Sequence, residues 1–296
     1  MKFGLNYSRA AIKLYDEGVI APDVFKCPAW PDLIARVKDR YPIYIHFPLG
    51  AGEGIGDAID GETKQPADWA KFEKLLSDSG TPYLNLHLQA PHTRSGPPDA
   101  EQTLANLIRD VEAVIARFGR ERVIVENGFN LGPQALHPAF YAETATQVIE
   151  ATGCGFLFDL SHARIAAMRL GEDYRHYISR LPMHAIREIH ITGMQVIDEY
   201  WINRALASGM TRELIESYIG PDGAWLANHM TDHLPLSDED WEIMTWAAQQ
   251  LRSGAWREPW VTSLECGGVG PFWEATFTED EMREQVPRLQ KIFTIP

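Results

Sequence analysis

The sequence predicts a single eight-stranded parallel α/β barrel, and three observations carry the prediction. Short apolar runs of strand length alternate with segments of helical periodicity from end to end, the pattern of a parallel sheet covered by helices. Eight such runs can be counted. Six of them end in a histidine or carboxylate at the C-terminal side, where barrels of this class carry their active sites. The 296 residues suit one such domain, because these barrels run to roughly 250 residues or more.

The runs fall at residues 3–8, 24–27, 43–48, 83–88, 123–127, 156–160, 188–192 and 261–266. A first helix is expected after Trp30, where Pro31 suits the first helical position and Leu33, Ile34 and Val37 supply an apolar face. Further helices are expected at 68–77, 99–118, 140–151 and 173–181, and a last one at 279–293 after the eighth run. No linker rich in Pro, Gly or Ser divides the chain, so residues 1–296 are expected to form one domain.

The long interval between the seventh and eighth runs departs from this alternation. It contains an amphipathic stretch at 198–219 and then a helix starting near Ser237, where Ser237 and Asp240 have the spacing of a capping box. Insertions after barrel strands sit over the mouth, so residues 194–240 are expected to form a helical insertion and lid. Extra packing without a catalytic part is the alternative. Trp201, Trp225, Trp241 and Trp246 crowd this region, either packing its helices or lining a groove.

Hydrophobic residues make up 45% of the chain and charged residues 23%, an ordinary globular balance. The net charge of −14, with Lys and Arg scattered, argues against a nucleic-acid partner. Cys27, Cys154 and Cys266 show neither a disulfide framework nor zinc-site spacing, which fits a reducing compartment. The first residues lack the apolar segment of a signal peptide, and no stretch approaches the roughly 20 apolar residues of a membrane span. A cytoplasmic protein without a membrane partner is expected.

Buried parallel strands are apolar on both faces, so polar side chains at their ends need a reason. Here they are His46, His87, Glu126, Asp159, His190 and Glu265. Alternation puts His87 with Asn85 opposite Leu84, Leu86 and Leu88, and puts His190 with Thr192 opposite Ile189 and Ile191. Glu265 shares a face with Ser263. Each side chain then aims at the barrel axis.

A single inward histidine is ordinarily a hydrogen-bonded core residue, and a lone carboxylate can pair with a lysine. Convergence changes the balance, because three carboxylates and three imidazoles in one lumen would repel unless cations or protons neutralised them. Lysine is nearly absent from these strand ends, Lys26 being the exception. Asp232 and His233, in the stretch 230–235, and His162, three residues after Asp159, are further candidates. Capping and loop hydrogen bonds are their alternative roles. Nitrogen and oxygen ligation without thiolate suits iron, manganese or zinc, and so many ligands exceed the needs of one ion.

Several stretches are familiar in chain order. Val125-Glu-Asn, Ala151-Thr-Gly-Cys-Gly-Phe-Leu-Phe-Asp-Leu-Ser, Leu170-Gly-Glu-Asp-Tyr, Arg187-Glu-Ile-His-Ile-Thr-Gly and Leu234-Pro-Leu-Ser-Asp-Glu-Asp-Trp resemble the multinuclear non-heme iron-dependent oxidative enzymes. That family, first catalogued as a domain of unknown function, lies within the xylose-isomerase-like TIM barrels, and the likeness is strongest from residue 121 to 241. The resemblance implies a barrel with two or three irons that use dioxygen, often to modify cysteine in a ribosomally made precursor peptide during natural product biosynthesis. A partner protein often presents that peptide.

Carried onto this chain, the family's ligands fall on His46, His87, Glu126, Asp159, His190, His233 and Glu265. The chain departs from the family in three places. Asp159-Leu-Ser-His162 stands where Asp-x-Asn-Asn is common, Met194 stands where a second histidine is common, and Asp232 and His233 are adjacent rather than spaced as Asp-x-His. His162 is expected to compensate for a lost ligand. Glu126, Asp159, His190 and Glu265 are the residues expected to carry the chemistry.

Two readings of different class follow. In the first, the protein is an iron-dependent oxidase acting on a peptide or small-molecule substrate. In the second it is a redox-neutral sugar isomerase, epimerase or metal hydrolase using zinc or manganese, with Glu126 or Glu265 as base. A purely structural metal fits less well, since structural sites are closed shells and a barrel mouth is open. Oxygen consumption separates the two enzymatic readings.

Overall fold

The computed structural model describes residues 1–91, 99–130, 135–220 and 229–294. Its strands are β1 (Lys2–Asn6), β2 (Val24–Pro28), β3 (Ile43–His46), β4 (Leu49–Ala51), β5 (Ile59–Asp60), β6 (Gln65–Pro66), β7 (Leu84–Leu88), β8 (Val123–Glu126), β9 (Gly155–Asp159), β10 (Ile186–Ile191), β11 (Gly193–Val196), β12 (Met230–Leu234) and β13 (Val261–Leu264). The order β3-β2-β1-β13-β10-β9-β8-β7-β4 is parallel throughout its pairings. All eight expected runs are present.

The barrel closes through its third strand. β3 pairs with β2, while β4, two residues further on, pairs with β7. The chain therefore bends at Phe47-Pro48, where Pro48 has no N–H to give. Side chains bridge the bend: the Ile45 N–H donates to Thr81 Oγ1 at 2.9 Å, the Phe47 N–H donates to Asn85 Oδ1 at 2.7 Å, and Asn85 Nδ2 donates to the Phe47 carbonyl at 3.0 Å. Asn85, expected to point inward beside His87, is the closing clasp.

Around the sheet lie α1 (Arg9–Asp16), α2 (Pro31–Val37), α3 (Trp69–Ser79), α4 (Ala100–Phe118), α5 (Ala142–Thr152), α6 (Leu160–Leu170), α7 (Tyr174–Ser179), α8 (Glu199–Ala207), α9 (Arg212–Ile219), α10 (Asp238–Arg252), α11 (Pro271–Thr276) and α12 (Glu279–Phe293). Their starts follow local chemistry. Pro31 occupies the first turn of α2, and Asp68, Asp99 and Asp173 cap α3, α4 and α7 through their carboxylates. Ser237 and Asp240 form the expected capping box at α10. The sequence reading did not anticipate α1, α6 or α11; α6 follows β9 with no intervening loop, so no turn residue announces it.

The insertion is not one amphipathic helix but two, α8 and α9, separated at Gly209, whose φ is +94°, and restarted by the Thr211 cap. They lie in the chain between β11 and β12, which pair antiparallel. Trp201, Ile215, Ile219 and Leu234 form an apolar cluster with Phe272 of α11, apart from the main core. Trp241 and Trp246 pack on the main core instead, and Trp225 lies outside the described residues. Among the described residues no helix is long and apolar enough to cross a membrane.

Candidate metal centre

Strand alternation delivers the predicted side chains to one place. Four groups of three ligand atoms each lie within 4.8 Å of one another: His46, His87 and Glu126; Glu126, Asp159 and His190; Asp159, His162 and Asp232; and His46, His190 and Glu265. Eight of the nine predicted ligands are thus gathered. The ninth, His233, stands beside them with Nε2 3.8 Å from Asp232 Oδ1, and lines the same cavity.

Glu126 joins the groups. Its Oε2 faces His87 Nε2 at 3.2 Å and His46 Nε2 at 3.6 Å, while its Oε1 faces His190 Nδ1 at 3.7 Å and His162 Nδ1 at 3.5 Å. Its two oxygens face different groups, the arrangement of a carboxylate able to bridge two cations. Asp159 divides its labour similarly. Oδ1 caps α6, accepting from the His162 N–H at 2.8 Å, whereas Oδ2 is buried with no hydrogen bond. The Asn127 amide fixes this corner by bonding the Asp159 N–H and carbonyl, each at 2.9 Å.

Four imidazoles are each held by one ring nitrogen. Nδ1 of His87 donates to the Leu49 carbonyl at 2.9 Å, Nδ1 of His162 to the Asn127 carbonyl at 2.8 Å, and Nδ1 of His233 to the Glu265 carbonyl at 2.9 Å. His190 turns the other way: Nε2 donates to Glu188 Oε1 at 2.8 Å, leaving Nδ1 toward the lumen. An imidazole anchored at one nitrogen by a carbonyl or carboxylate, with its other nitrogen free, is how proteins orient metal-binding histidines.

Adjacent residues on a strand point to opposite faces, which would separate Asp232 from His233. His233, however, has φ +63°, a left-handed backbone that turns both side chains to the site. Such a conformation is uncommon outside glycine and concentrates at functional positions. Gly193, opposite this turn, admits no side chain, since a Cβ there would lie 2.1 Å from the Pro235 carbonyl oxygen.

The side chains alone are poorly reconciled. Glu126 Oε2, Asp159 Oδ2 and His190 Nδ1 are all buried without a hydrogen-bond partner. His46 and His87 bring their Nε2 atoms within 3.1 Å of each other. Because Nδ1 of His87 already donates, its Nε2 is a lone pair facing another ring nitrogen. Burial pushes His46 well below the usual imidazole range, and burial with Lys26 nearby takes His190 down to about 3. Burial also lowers His162, but Asp159, Asp232 and Glu126 outweigh it and hold that imidazole up at about 10. Burial would raise Glu126, yet the imidazoles of His87, His190 and His162 hold it below the usual carboxylate range. Imidazoles that burial keeps unprotonated at His46 and His190, a Glu126 carboxylate held low, and orphaned lumen atoms make a donor set that divalent cations complete, with His162 the exception.

Two inward residues were not among the sequence-predicted ligands. Glu188 is fully enclosed, and burial raises its carboxyl to about 7. It lies two residues before His190, so the alternation used for His190 points to it as well. Lys26 is buried in direct contact with Glu265 Oε1, and burial lowers its ammonium to about 8. A cavity of about 410 Å³ opens onto the group; Tyr7, Trp30, Val269 and Trp273 give it apolar walls, and His87 and Glu265 are part of its lining.

With the barrel, its strand-end histidines and carboxylates and its open mouth in place, the fold is that of the xylose-isomerase-like TIM barrels. It is similar to a xylose isomerase domain containing protein from Salmonella typhimurium, with TM-score 0.55 and 18% identity over 99% of this chain and 97% of that one. It is also similar to the IOLI protein solved with a binding zinc atom, with TM-score 0.58 and 12% identity over 99% of this chain and 98% of that one. Within this class, residues 95–207 match the family described as RiPP precursor modification enzyme MbnB/TglH/ChrH. The motifs read between residues 125 and 193 fall within that match, whereas the stretch 234–241 lies beyond it. A UPF0276 protein of Caulobacter vibrioides is 28% identical over 184 residues, 59% of this chain and 63% of that protein. A UPF0276 protein of Bordetella pertussis is 38% identical over 52 residues, 18% of each chain. The chain thus spans less than two thirds of the length of the curated relatives it matches.

Proposed function

We propose that the protein is a multinuclear non-heme iron enzyme that uses dioxygen to modify a cysteine in a ribosomally made peptide, as a step of natural product biosynthesis. The observation that carries this reading is the convergence of imidazoles and buried carboxylates in which the lumen atoms of Glu126, Asp159 and His190 have no hydrogen-bond partner, while His87 and His190 are each fixed at their outer nitrogen. The match of the central segment to a peptide-modifying family supports the substrate class.

His46, His87, Glu126, Asp159, His162, His190, Asp232, His233 and Glu265 are the proposed ligand set for two or three ions. When bound, iron supplies one-electron chemistry with dioxygen and a Lewis-acid seat for a thiolate. The protein supplies the rest. Glu126 holds two of the groups in register through its two oxygens, and Glu188 holds the tautomer of His190. The cavity has room for one side chain with its flanking backbone, and Trp30 and Trp273 along its walls would exclude water around it. The segment 194–240, of which residues 221–228 lie outside the described residues, is the proposed lid and docking face for a substrate-presenting partner protein.

The test is metal content after anaerobic purification from iron-supplemented cells, with a Glu126→Ala/His190→Ala variant alongside, followed by oxygen uptake with cysteine-containing peptides. Two or three irons per chain, lost in the variant, and peptide-dependent oxygen uptake are expected. Stoichiometric zinc or manganese with no oxygen uptake would transfer the protein to redox-neutral isomerase or hydrolase chemistry.

A further inference from the structure

We infer that Lys26 fills one corner of the centre in place of a metal ion, so that the His46, His190 and Glu265 group holds an ammonium rather than a divalent cation. The inference rests on the metal-centre reading above and refines which of its groups are loaded.

The four ligand groups share residues, and what distinguishes each is what it does not share. His87 belongs to one group alone, and His162 and Asp232 to another. The central group of Glu126, Asp159 and His190 shares every member, but each of those residues has a buried lumen atom with no hydrogen-bond partner. The fourth group has Glu265 as its one private ligand. The Glu265 oxygen that faces His190 Nδ1, Oε1 at 3.2 Å, is the same oxygen that Lys26 Nζ touches. That ligand atom is therefore already engaged by a cation covalently part of the chain.

Placement favours the engagement. Lys26 sits in the middle of β2, in register with Asn6 of β1 on one side and Tyr44 of β3 on the other. Its ammonium is buried, and Lys26, His46, Glu126 and Glu265 line one cavity. A divalent ion among His46, His190 and Glu265 would stand beside this ammonium in a poorly screened interior, where like charges repel strongly. The lysine cannot leave without breaking its only ion pair among the described residues. The carboxylates of the lumen need positive charge, and one unit of it is built in.

The experiment is metal content by inductively coupled plasma mass spectrometry on the full chain purified from iron-supplemented cells. Lys26→Gln is expected to hold one ion more per chain than the unmodified protein, and Lys26→Arg the same number as the unmodified protein. Glu265→Gln is expected to lose no ion, whereas adding Glu265→Gln to Lys26→Gln removes the ion gained. Equal content in the unmodified protein and Lys26→Gln overturns the inference, as does loss of an ion in Glu265→Gln alone. If Lys26→Gln does not fold by circular dichroism, the Glu265→Gln arm decides. Failure of the metal-centre reading looks different: the unmodified protein then holds no metal. A single ion appearing only in Lys26→Gln would sustain the role of Lys26 against that reading, and no ion in either would end both.

Discussion

Replacing Glu188 by glutamine tests whether the centre depends on its outer supports. The carboxylate accepts the Nε2–H of His190 at 2.8 Å and leaves Nδ1 for the lumen; both side chains are almost wholly buried. Glutamine keeps the shape and can still accept this hydrogen bond, but it removes the charge that makes His190 a better donor to a cation. Losing such a support typically costs 10–100-fold in metal affinity, or about 1.4 to 2.7 kcal/mol. Metal bound to the folded state stabilises it by linkage, and for a domain of this size about 1 kcal/mol moves Tm by roughly 2 °C. The metal-induced rise in Tm should therefore shrink by roughly 3–5 °C in Glu188→Gln, while the metal-free Tm stays close to that of the unmodified protein. Chelator competition gives the affinity and differential scanning calorimetry the Tm. An unchanged affinity and an unchanged metal-induced rise would refute the argument that Glu188 acts through His190.

The remaining predictions concern the scaffold and the ligand turn. Asp110, fully buried on α4, accepts the N–H groups of Gly52, Gly54 and Gly56 at 2.8–2.9 Å. Asp110→Ala leaves these donors unpaired, costs about 3 kcal/mol and should speed amide exchange at residues 52–56. Arg164 donates to the fully buried Asp240 at 2.6 Å, so Arg164→Met strands a carboxylate and should cost about 3–5 kcal/mol in urea unfolding. Burial pushes the Cys27 thiol up to about 12 and the Cys154 thiol up to about 11. Both remain protonated at neutral pH, so iodoacetamide followed by mass spectrometry should label neither until the protein unfolds. His233→Asn tolerates the left-handed backbone, so it should leave stability within about 1 kcal/mol while weakening metal binding; unchanged binding would remove His233 from the ligand set.

The barrel was legible because its strands are apolar runs with turn-forming neighbours, and eight of them leave little topological freedom. The bend in the third strand was not legible. Residues 43–48 read as one run, and nothing local to Phe47-Pro48 reveals that its halves pair with different neighbours across Thr81 and Asn85. Helix α6 escaped for a related reason. Asp159 ends β9 and caps α6 at once, so one residue does the work for which a loop is normally sought.

The site was legible where a polar side chain violates the expected apolar strand, and it became illegible where polarity has an ordinary explanation. His190 stood out between Ile189 and Ile191, whereas Glu188, on the same face two residues earlier, opens the run and was not singled out. Alternation applies to both, although β10 carries a register irregularity between Ile186 and Glu188 that breaks simple counting upstream. Asp232 and His233 present the opposite case: strict alternation would have excluded one of them, and only the backbone at His233 brings both to the site. Lys26 is the instructive residue. In the sequence it was the exception to a lysine-poor set of strand ends, a reason to expect metal as counter-charge elsewhere. In the barrel it lies on Glu265 and supplies part of that counter-charge itself. The electrostatic argument for cations therefore survives, but the number of metal ions it calls for is reduced by the one cation the chain already carries.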